Sequence, residues 1–188
     1  SASGIGLGIL KRFLAEGASV AGFDLNETLA DDVLSITGDA TDEAAVQAAV
    51  DQTIAAQGGL DVMVCNAGVI AVQPVVEMGF ADWKGVMDVN VNSVFLGSRA
   101  AARAMIAQGR GGVIVNASSG AGRRGVPNLS HYCASKAAIL MLTQSIDAMS
   151  MATDSHTGEH YKPELTFVAI TKRVGMRFFQ SSEDGLSA

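Results

Sequence analysis

Tyr132 and Lys136 stand four positions apart in Tyr132-Cys133-Ala134-Ser135-Lys136. On a helix that spacing puts both side chains on one face, one turn apart. An ammonium beside a phenol favours the phenolate, which makes such a tyrosine usable as an acid or a base near neutral pH. The plainer reading is a surface tyrosine next to a solvated lysine. Ser119 follows the apolar run Val113-Ile114-Val115. At the carboxyl end of a strand its hydroxyl would face a ligand crevice. Within Ser118-Ser119-Gly120 it would instead be an ordinary turn residue. The run Ser1-Ala2-Ser3-Gly4-Ile5-Gly6-Leu7-Gly8 opens into the apolar Ile9-Leu10. Helix N-terminal amides and a bare backbone approach a pyrophosphate closely. Asp24, 20 positions beyond Gly4, ends a β-like run. A carboxylate there accepts hydrogen bonds from both hydroxyls of an adenine ribose and repels a 2′-phosphate, so the pair reads as a dinucleotide site that favours NAD over NADP. The alternative is a tight turn and a surface aspartate.

Other reactive side chains carry less. His131 adjoins Tyr132, but neighbouring helix positions face different directions, so it reads as a surface histidine. His156 and His160 have metal-ligand spacing around Glu159, yet they lie in a polar stretch, and no metal site is expected. Cys65 and Cys133 form no CxxC pair and read as two reduced thiols of a cytoplasmic protein. Met141, Met149 and Met151 read as core or interface filler.

The elements that must position these residues alternate between β-like and helical runs. Ile9–Glu16 reads as a helix closed by Gly17, and Ala18–Asp24 as a strand. A weaker strand signal surrounds Val33–Ile36. Thr41 is placed to cap a helix over Asp42–Gln57, with Val46, Val50 and Ile54 on one face. Leu60–Cys65 is apolar throughout, the pattern of a strand buried on both faces. A helix is expected over Asp82–Gln108, a strand over Gly112–Ala117, a helix over Ser130–Met151 and a last strand over Glu164–Ile170. Such alternation argues for an α/β fold, a parallel sheet between two helical layers.

The 188 residues, 48% hydrophobic and 17% charged, suit one domain with a sizeable core. The expected domain spans residues 1–170, with 171–188 as an irregular tail. A net charge of -6 without a basic stripe argues against nucleic-acid partners. No apolar run approaches the ~20 residues that would cross a bilayer.

Taken together, these residues resemble the short-chain dehydrogenase/reductase family, which carries TGxxxGxG at its first turn. Ser1-Ala2-Ser3-Gly4-Ile5-Gly6 is similar to the xxxGxG portion. Asp39 in Gly38-Asp39-Ala40 resembles the family's adenine-contacting aspartate. Cys65-Asn66-Ala67-Gly68 resembles its NNAG, with Cys for the first Asn. Asn90 matches the asparagine of its catalytic set, and Ser119 precedes Tyr132 by the family's 13 positions. The resemblance covers about Ser1 to Ser145.

The resemblance implies a Rossmann-like, doubly wound parallel sheet in a three-layer αβα arrangement. It implies an NAD-dependent oxidoreductase that interconverts a secondary alcohol and a ketone. Ser119 would fix the substrate oxygen, Tyr132 would exchange a proton with it, Lys136 would assist Tyr132 and hold the nicotinamide ribose, and Asn90 would position a water beside Lys136. Ser3, Gly4, Ile5, Gly6, Asp24, Asp39, Ala40, Asn66, Ala67 and Gly68 would join Tyr132 and Lys136 in binding the cofactor. The helices over 82–108 and 130–151 would form the face of a homodimer or homotetramer. Two departures stand against this pattern. The family's central first strand has no counterpart ahead of Ser1, and no Pro-Gly or substrate-covering segment follows Ser145. The expectation is a sheet incomplete at both ends, cut from a domain of about 250 residues. A non-catalytic, scaffold-only relative is the alternative function.

Overall fold

Short, largely apolar runs pair side by side in register. Val20–Asp24 (β1) and Val33–Thr37 (β2) form one parallel pair, with Val20 opposite Val33 and Asp24 opposite Thr37. Val62–Cys65 (β3), Gly112–Ser119 (β4) and Leu165–Lys172 (β5) form a second parallel sheet in the order β3-β4-β5. The computed structural model describes residues 2–28, 30–150 and 165–172, with side chains through residue 147. The fold class is the expected α/β one. Among the described residues the sheet is divided, because β1 and β3 are not hydrogen-bonded to each other. This is the place where the resemblance calls for a central strand.

The helices are Gly4–Ala15 (α1), Glu43–Gln57 (α2), Phe80–Met87 (α3), Ser93–Gln108 (α4) and Ser130–Ser150 (α5). One core joins both sheets to the helical layer. Val46 and Val50 of α2 meet Leu96, Ala100, Ala101 and Met105 of α4, over Leu60 and Ile114, with Phe23 of β1 at the margin. Gly58 and Gly109 close α2 and α4 at φ 81° and 73°, the left-handed conformation that glycine adopts without strain.

Several expectations change. The glycine run is not a turn ahead of a helix from Ile9: it forms the first turns of α1, which starts at Gly4. Glycines hide helical periodicity, and packing of Gly6 and Leu10 into the interior overrides their low propensity. Asp42, not Thr41, caps α2, its carboxylate accepting from Ala44 N and Ala45 N, while the Thr41 hydroxyl donates to Asp39. β3 is not buried on both faces: Val62 is 38% exposed, and only one of its edges has a strand partner among the described residues. The single helix over 82–108 is two helices joined by a π-helical turn, Asp88–Asn92. β4 runs on to Ser119, and β5 to Lys172, two residues past the expected end.

His131 is fully buried and so is not a surface residue. It shares one face of α5 with Ser135 and Ile139, both at 0% exposure, and that i, i+4, i+8 stripe points into the protein. Met141 is 58% exposed, which removes it from the core. The side chains of Met149 and Met151 lie outside the described residues.

Gly122 shows how tightly α5 is seated. A Cβ at this position would lie 2.6 Å from the Lys136 carbonyl carbon, 2.7 Å from its oxygen and 2.9 Å from Ala137 N. These are backbone atoms of α5 and cannot swing aside. The three atoms nearest a Cβ at Gly112 all belong to the Met105 side chain, the closest at 2.5 Å, and an unbranched side chain yields more readily than backbone. Gly122→Ala should therefore destabilise by about 2–3 kcal/mol, and Gly112→Ala by clearly less. Urea unfolding of the two variants checks this, and equal midpoints would contradict it.

Candidate functional site

The π-helical turn adds one residue to the path between α3 and α4, and it carries Asn90 into the interior, where the side chain is 0% exposed. Such turns cluster at functional sites because they re-aim a side chain. Asn90 Oδ1 accepts from Val69 N at 2.7 Å, and Asn90 Nδ2 donates to Val69 O at 2.9 Å and to Ser135 Oγ at 3.0 Å. Both amide hydrogens are thus used, so a water beside Asn90 could only donate to the remaining lone pair of Oδ1.

Lys136 lies one helical turn beyond Tyr132 and is 5% exposed. Its Nζ donates to Ala117 O at 3.0 Å and stands 5.7 Å from the centroid of the Tyr132 ring. Burial pushes its pKa down to about 8, since desolvation disfavours the ammonium. Its backbone carbonyl accepts from Ser118 Oγ at 2.8 Å. Ser119 ends β4, two residues beyond Ala117. Its Oγ accepts from Ala121 N at 3.2 Å, which leaves the hydroxyl proton available to an oxygen of a bound molecule.

The sequence-derived residues gather in two groups. Asn90, Tyr132 and Lys136 meet around the loop after β3: a Cβ on Gly68 would lie 3.3 Å from both Asn90 Oδ1 and Lys136 Nζ. Ala67 and Gly68 are exposed there, and Asn66 is half-buried. Ser119 stands beside this group through β4. No hydrogen bond among the described residues joins its hydroxyl to Tyr132.

The second group surrounds Asp24. Its Oδ2 accepts from Ala2 N at 3.0 Å and its Oδ1 from Asn26 N at 3.1 Å, so the glycine run and the end of β1 meet as the dinucleotide reading requires. Gly38 N donates to Asp24 O at 2.9 Å, which brings Asp39 and Ala40 to the same edge. Asp39 is exposed and accepts from Thr41 N and Thr41 Oγ1, each at 2.8 Å. Those bonds hold its carboxyl below the usual carboxylate range. Ser3, Gly4 and Ile5 are exposed at the N-terminus of α1, and Gly6 is buried.

These observations fit a nicotinamide dinucleotide. Gly68 leaves bare backbone beside a buried cation, and a Cβ would fill that cradle. Asp24 and an exposed helix N-terminus supply the acceptor and the amides that a ribose and a pyrophosphate need. Cys65, in the family's Asn position, is a buried thiol pushed up to about 12 by desolvation, so it is no nucleophile at neutral pH. His156, Glu159 and His160 lie outside the described residues. No described helix is long and apolar enough to cross a membrane.

Sequence reasoning passed over Ser118, Ser135, Val69 and Gly122. Serines at 118 and 135 had a signal: each adjoins a named site residue. Val69 acts through its backbone and Gly122 through absent atoms, and neither leaves a mark in residue type.

A family model described as short chain dehydrogenase matches residues 1–154. Sorbitol dehydrogenase of Cereibacter sphaeroides is 35% identical over 178 residues, covering 86% of this chain and 70% of that protein. 2-Dehydro-3-deoxy-L-rhamnonate dehydrogenase (NAD(+)) of a Sphingomonas species is 39% identical over 153 residues, covering 77% of this chain and 61% of that protein. A solved short-chain type dehydrogenase/reductase from Mycobacterium marinum superposes with a TM-score of 0.75 at 35% identity, over 78% of this chain and 63% of that one. The chain therefore spans 61–70% of the length of these three proteins. With the motif order, the parallel α/β fold and a family match over most of its residues, the chain belongs to the short-chain dehydrogenase family.

Proposed function

We propose that the chain carries the catalytic centre of an NAD-dependent oxidoreductase that interconverts a secondary alcohol and a ketone. The observation that carries this reading is the buried Lys136 ammonium, set 5.7 Å from the Tyr132 ring and against the bare backbone of Gly68. A buried cation is costly, and no acidic partner neutralises it in a salt bridge among the described residues. A negative charge developing on the neighbouring phenol oxygen gives it an electrostatic partner at the moment of proton transfer. The names of two relatives, sorbitol dehydrogenase and 2-dehydro-3-deoxy-L-rhamnonate dehydrogenase (NAD(+)), support the same chemistry.

The chain's own residues divide the work. Ser119 donates its hydroxyl proton to the substrate oxygen and sets its distance from Tyr132. Tyr132 gives a proton to that oxygen in reduction and takes it in oxidation. Lys136 stabilises the deprotonated phenol and offers its remaining hydrogens to a ribose. Asn90 clamps Val69 and so fixes the loop that carries Gly68. NAD, when bound, supplies or accepts the hydride. The helix N-terminus at Ser3–Gly6, with Asp24, Asp39, Ala40, Asn66, Ala67 and Gly68, would hold it. The domain extends over 1–170, the protein works in the cytoplasm, and the helical segments over 82–108 and 130–151 associate in a homodimer or homotetramer.

The test is a change in NADH absorbance with sorbitol, 2,3-butanediol, a hydroxysteroid and a β-hydroxyacyl compound as substrates. Turnover of any of them is the expected result. A flat trace across the panel from cooperatively folding protein would favour the non-catalytic scaffold instead. Cofactor choice has its own check. Asp24→Ser removes the carboxylate that repels a 2′-phosphate, so the NAD-over-NADP preference should fall by about tenfold or more, equivalent to ~1.4 kcal/mol. Titration of both cofactors by thermal shift reads it, and an unchanged preference would remove Asp24 from the assignment.

A further inference from the structure

Three described elements are linked through two buried side chains, Asn90 and Ser135. Ser135 is 0% exposed, as is Asn90. Ser135 Oγ accepts from Asn90 Nδ2 at 3.0 Å and donates to the Tyr132 carbonyl at 2.8 Å. Asn90 in turn holds both backbone polar groups of Val69. The chain of bonds runs from the loop after β3, through the π-helical turn, to the first turn of α5. We infer that Ser135 is a positioning residue: its hydroxyl is the joint that sets α5, and with it Tyr132 and Lys136, against Asn90 and the Gly68 loop. The inference rests on the catalytic reading above and adds a residue to it.

The geometry gives the hydroxyl a role that volume alone does not fill. Nδ2 of Asn90 is buried, and its second hydrogen has Ser135 Oγ as its partner. Without that oxygen the buried donor is left unmade, a penalty a structure relieves by shifting or by admitting water. Either response acts at the start of α5, one residue before Lys136. The side-chain bonds between α5 and β4, from Ser118 Oγ to Lys136 O, from Lys136 Nζ to Ala117 O and from Asn116 Nδ2 to Thr143 Oγ1, hold the helix to the sheet. They do not set its distance from the π-helical turn. Only the Asn90–Ser135 bond does that by a side-chain hydrogen bond among the described residues.

The two replacements that separate position from packing are Ser135→Ala, which removes only the hydroxyl, and Ser135→Thr, which returns it. In a helix a threonine hydroxyl still bonds the carbonyl one turn back. With the substrate that the wild-type chain turns over best, Ser135→Ala should lower kcat by about tenfold to a hundredfold, the scale of a misplaced reacting group, with KM for NAD within about twofold. The second readout needs no turnover. Carbon-13 NMR of the lysine ε-carbons follows the titration of Lys136, placed by burial at about 8. Loosening the start of α5 hydrates the ammonium, so the alanine variant should titrate at least half a unit higher, and the threonine variant should return toward the wild-type midpoint. An alanine variant that matches wild type in both kcat and midpoint overturns the inference, as does a threonine variant that falls as far as alanine. Tyr132→Phe is the control for the reading beneath it: if that variant keeps its turnover, the catalytic assignment fails, while the Lys136 titration still decides the role of Ser135.

Discussion

Tyr132→Phe should lower turnover by about a thousandfold while leaving the melting temperature close to that of the parent. The first half follows from the role of a general acid and base, a contribution of about 10²–10⁴. Phenylalanine keeps the ring beside Lys136 and loses only the oxygen that exchanges the proton. The second half follows from how α5 is held. Its ties to the rest of the protein run through Ser118, Ser135, Lys136 and Thr143, and none uses the phenol oxygen. A substitution that cuts no buried bond stays within about 0.5 kcal/mol of neutral. Initial rates of NADH formation and a thermal melt on the same preparation check both halves. A rate within tenfold of the parent would move the proton-transfer role away from Tyr132. A large drop in melting temperature would mean that the lost rate reports unfolding.

This separation of rate from stability shows why so much of the site was legible. Tyr132, Lys136, Ser119 and Asn90, the residues proposed for the chemistry, would act through side chains whose chemistry is written in their type, and their spacing survives any detail of packing. The parallel α/β fold was legible for a similar reason: the apolar runs at β3 and β4 and the glycine stops after α2 and α4 are local signals. Other features depended on tertiary context. The π-helical turn at Asp88–Asn92 is one extra residue in an otherwise helical pattern, and periodicity over 82–108 averages it away. The burial of His131 follows the whole stripe with Ser135 and Ile139, and its adjacency to Tyr132 carries no sign of it. The exposure of Val62 depends on which strand lies alongside β3, and no property of Leu60–Cys65 itself carries that information. Thr41 and Asp42 are both good capping residues, and the choice between them was made by Asp39, which takes the threonine hydroxyl.

Lys136→Met makes the opposite trade, losing rate and gaining stability at neutral pH. The buried ammonium titrates at about 8 in the folded protein, against about 10.4 in an unfolded chain. A folded-state value below the unfolded one means that the charged form is the disfavoured one in the native protein. Below pH 8 both states carry the charge, and the whole cost of burying it, on the order of 3 kcal/mol for the difference between those values, weighs on the native state. Between about pH 8 and 10.4 the unfolded chain holds more protons than the folded one, so native stability from this group rises with pH and the cost disappears. Methionine has similar length and no charge to desolvate. It does leave the Ala117 carbonyl without its Nζ donor, which takes back about 1–2 kcal/mol. The variant should therefore be more stable than the parent by about 1–2 kcal/mol at pH 7, and this advantage should shrink steadily toward pH 10. Taking the difference between the two proteins at each pH removes the titrating groups that do not interact with Lys136, so urea unfolding of both across that range reads the lysine together with its neighbour Tyr132. A difference that stays constant with pH would mean that the ammonium is already hydrated in the folded state. The electrostatic case for pairing it with a phenolate would fall with it, since a hydrated cation gains little from a charge developing nearby. A shrinking advantage joined to a lost rate would show a residue kept at a thermodynamic cost for its charge.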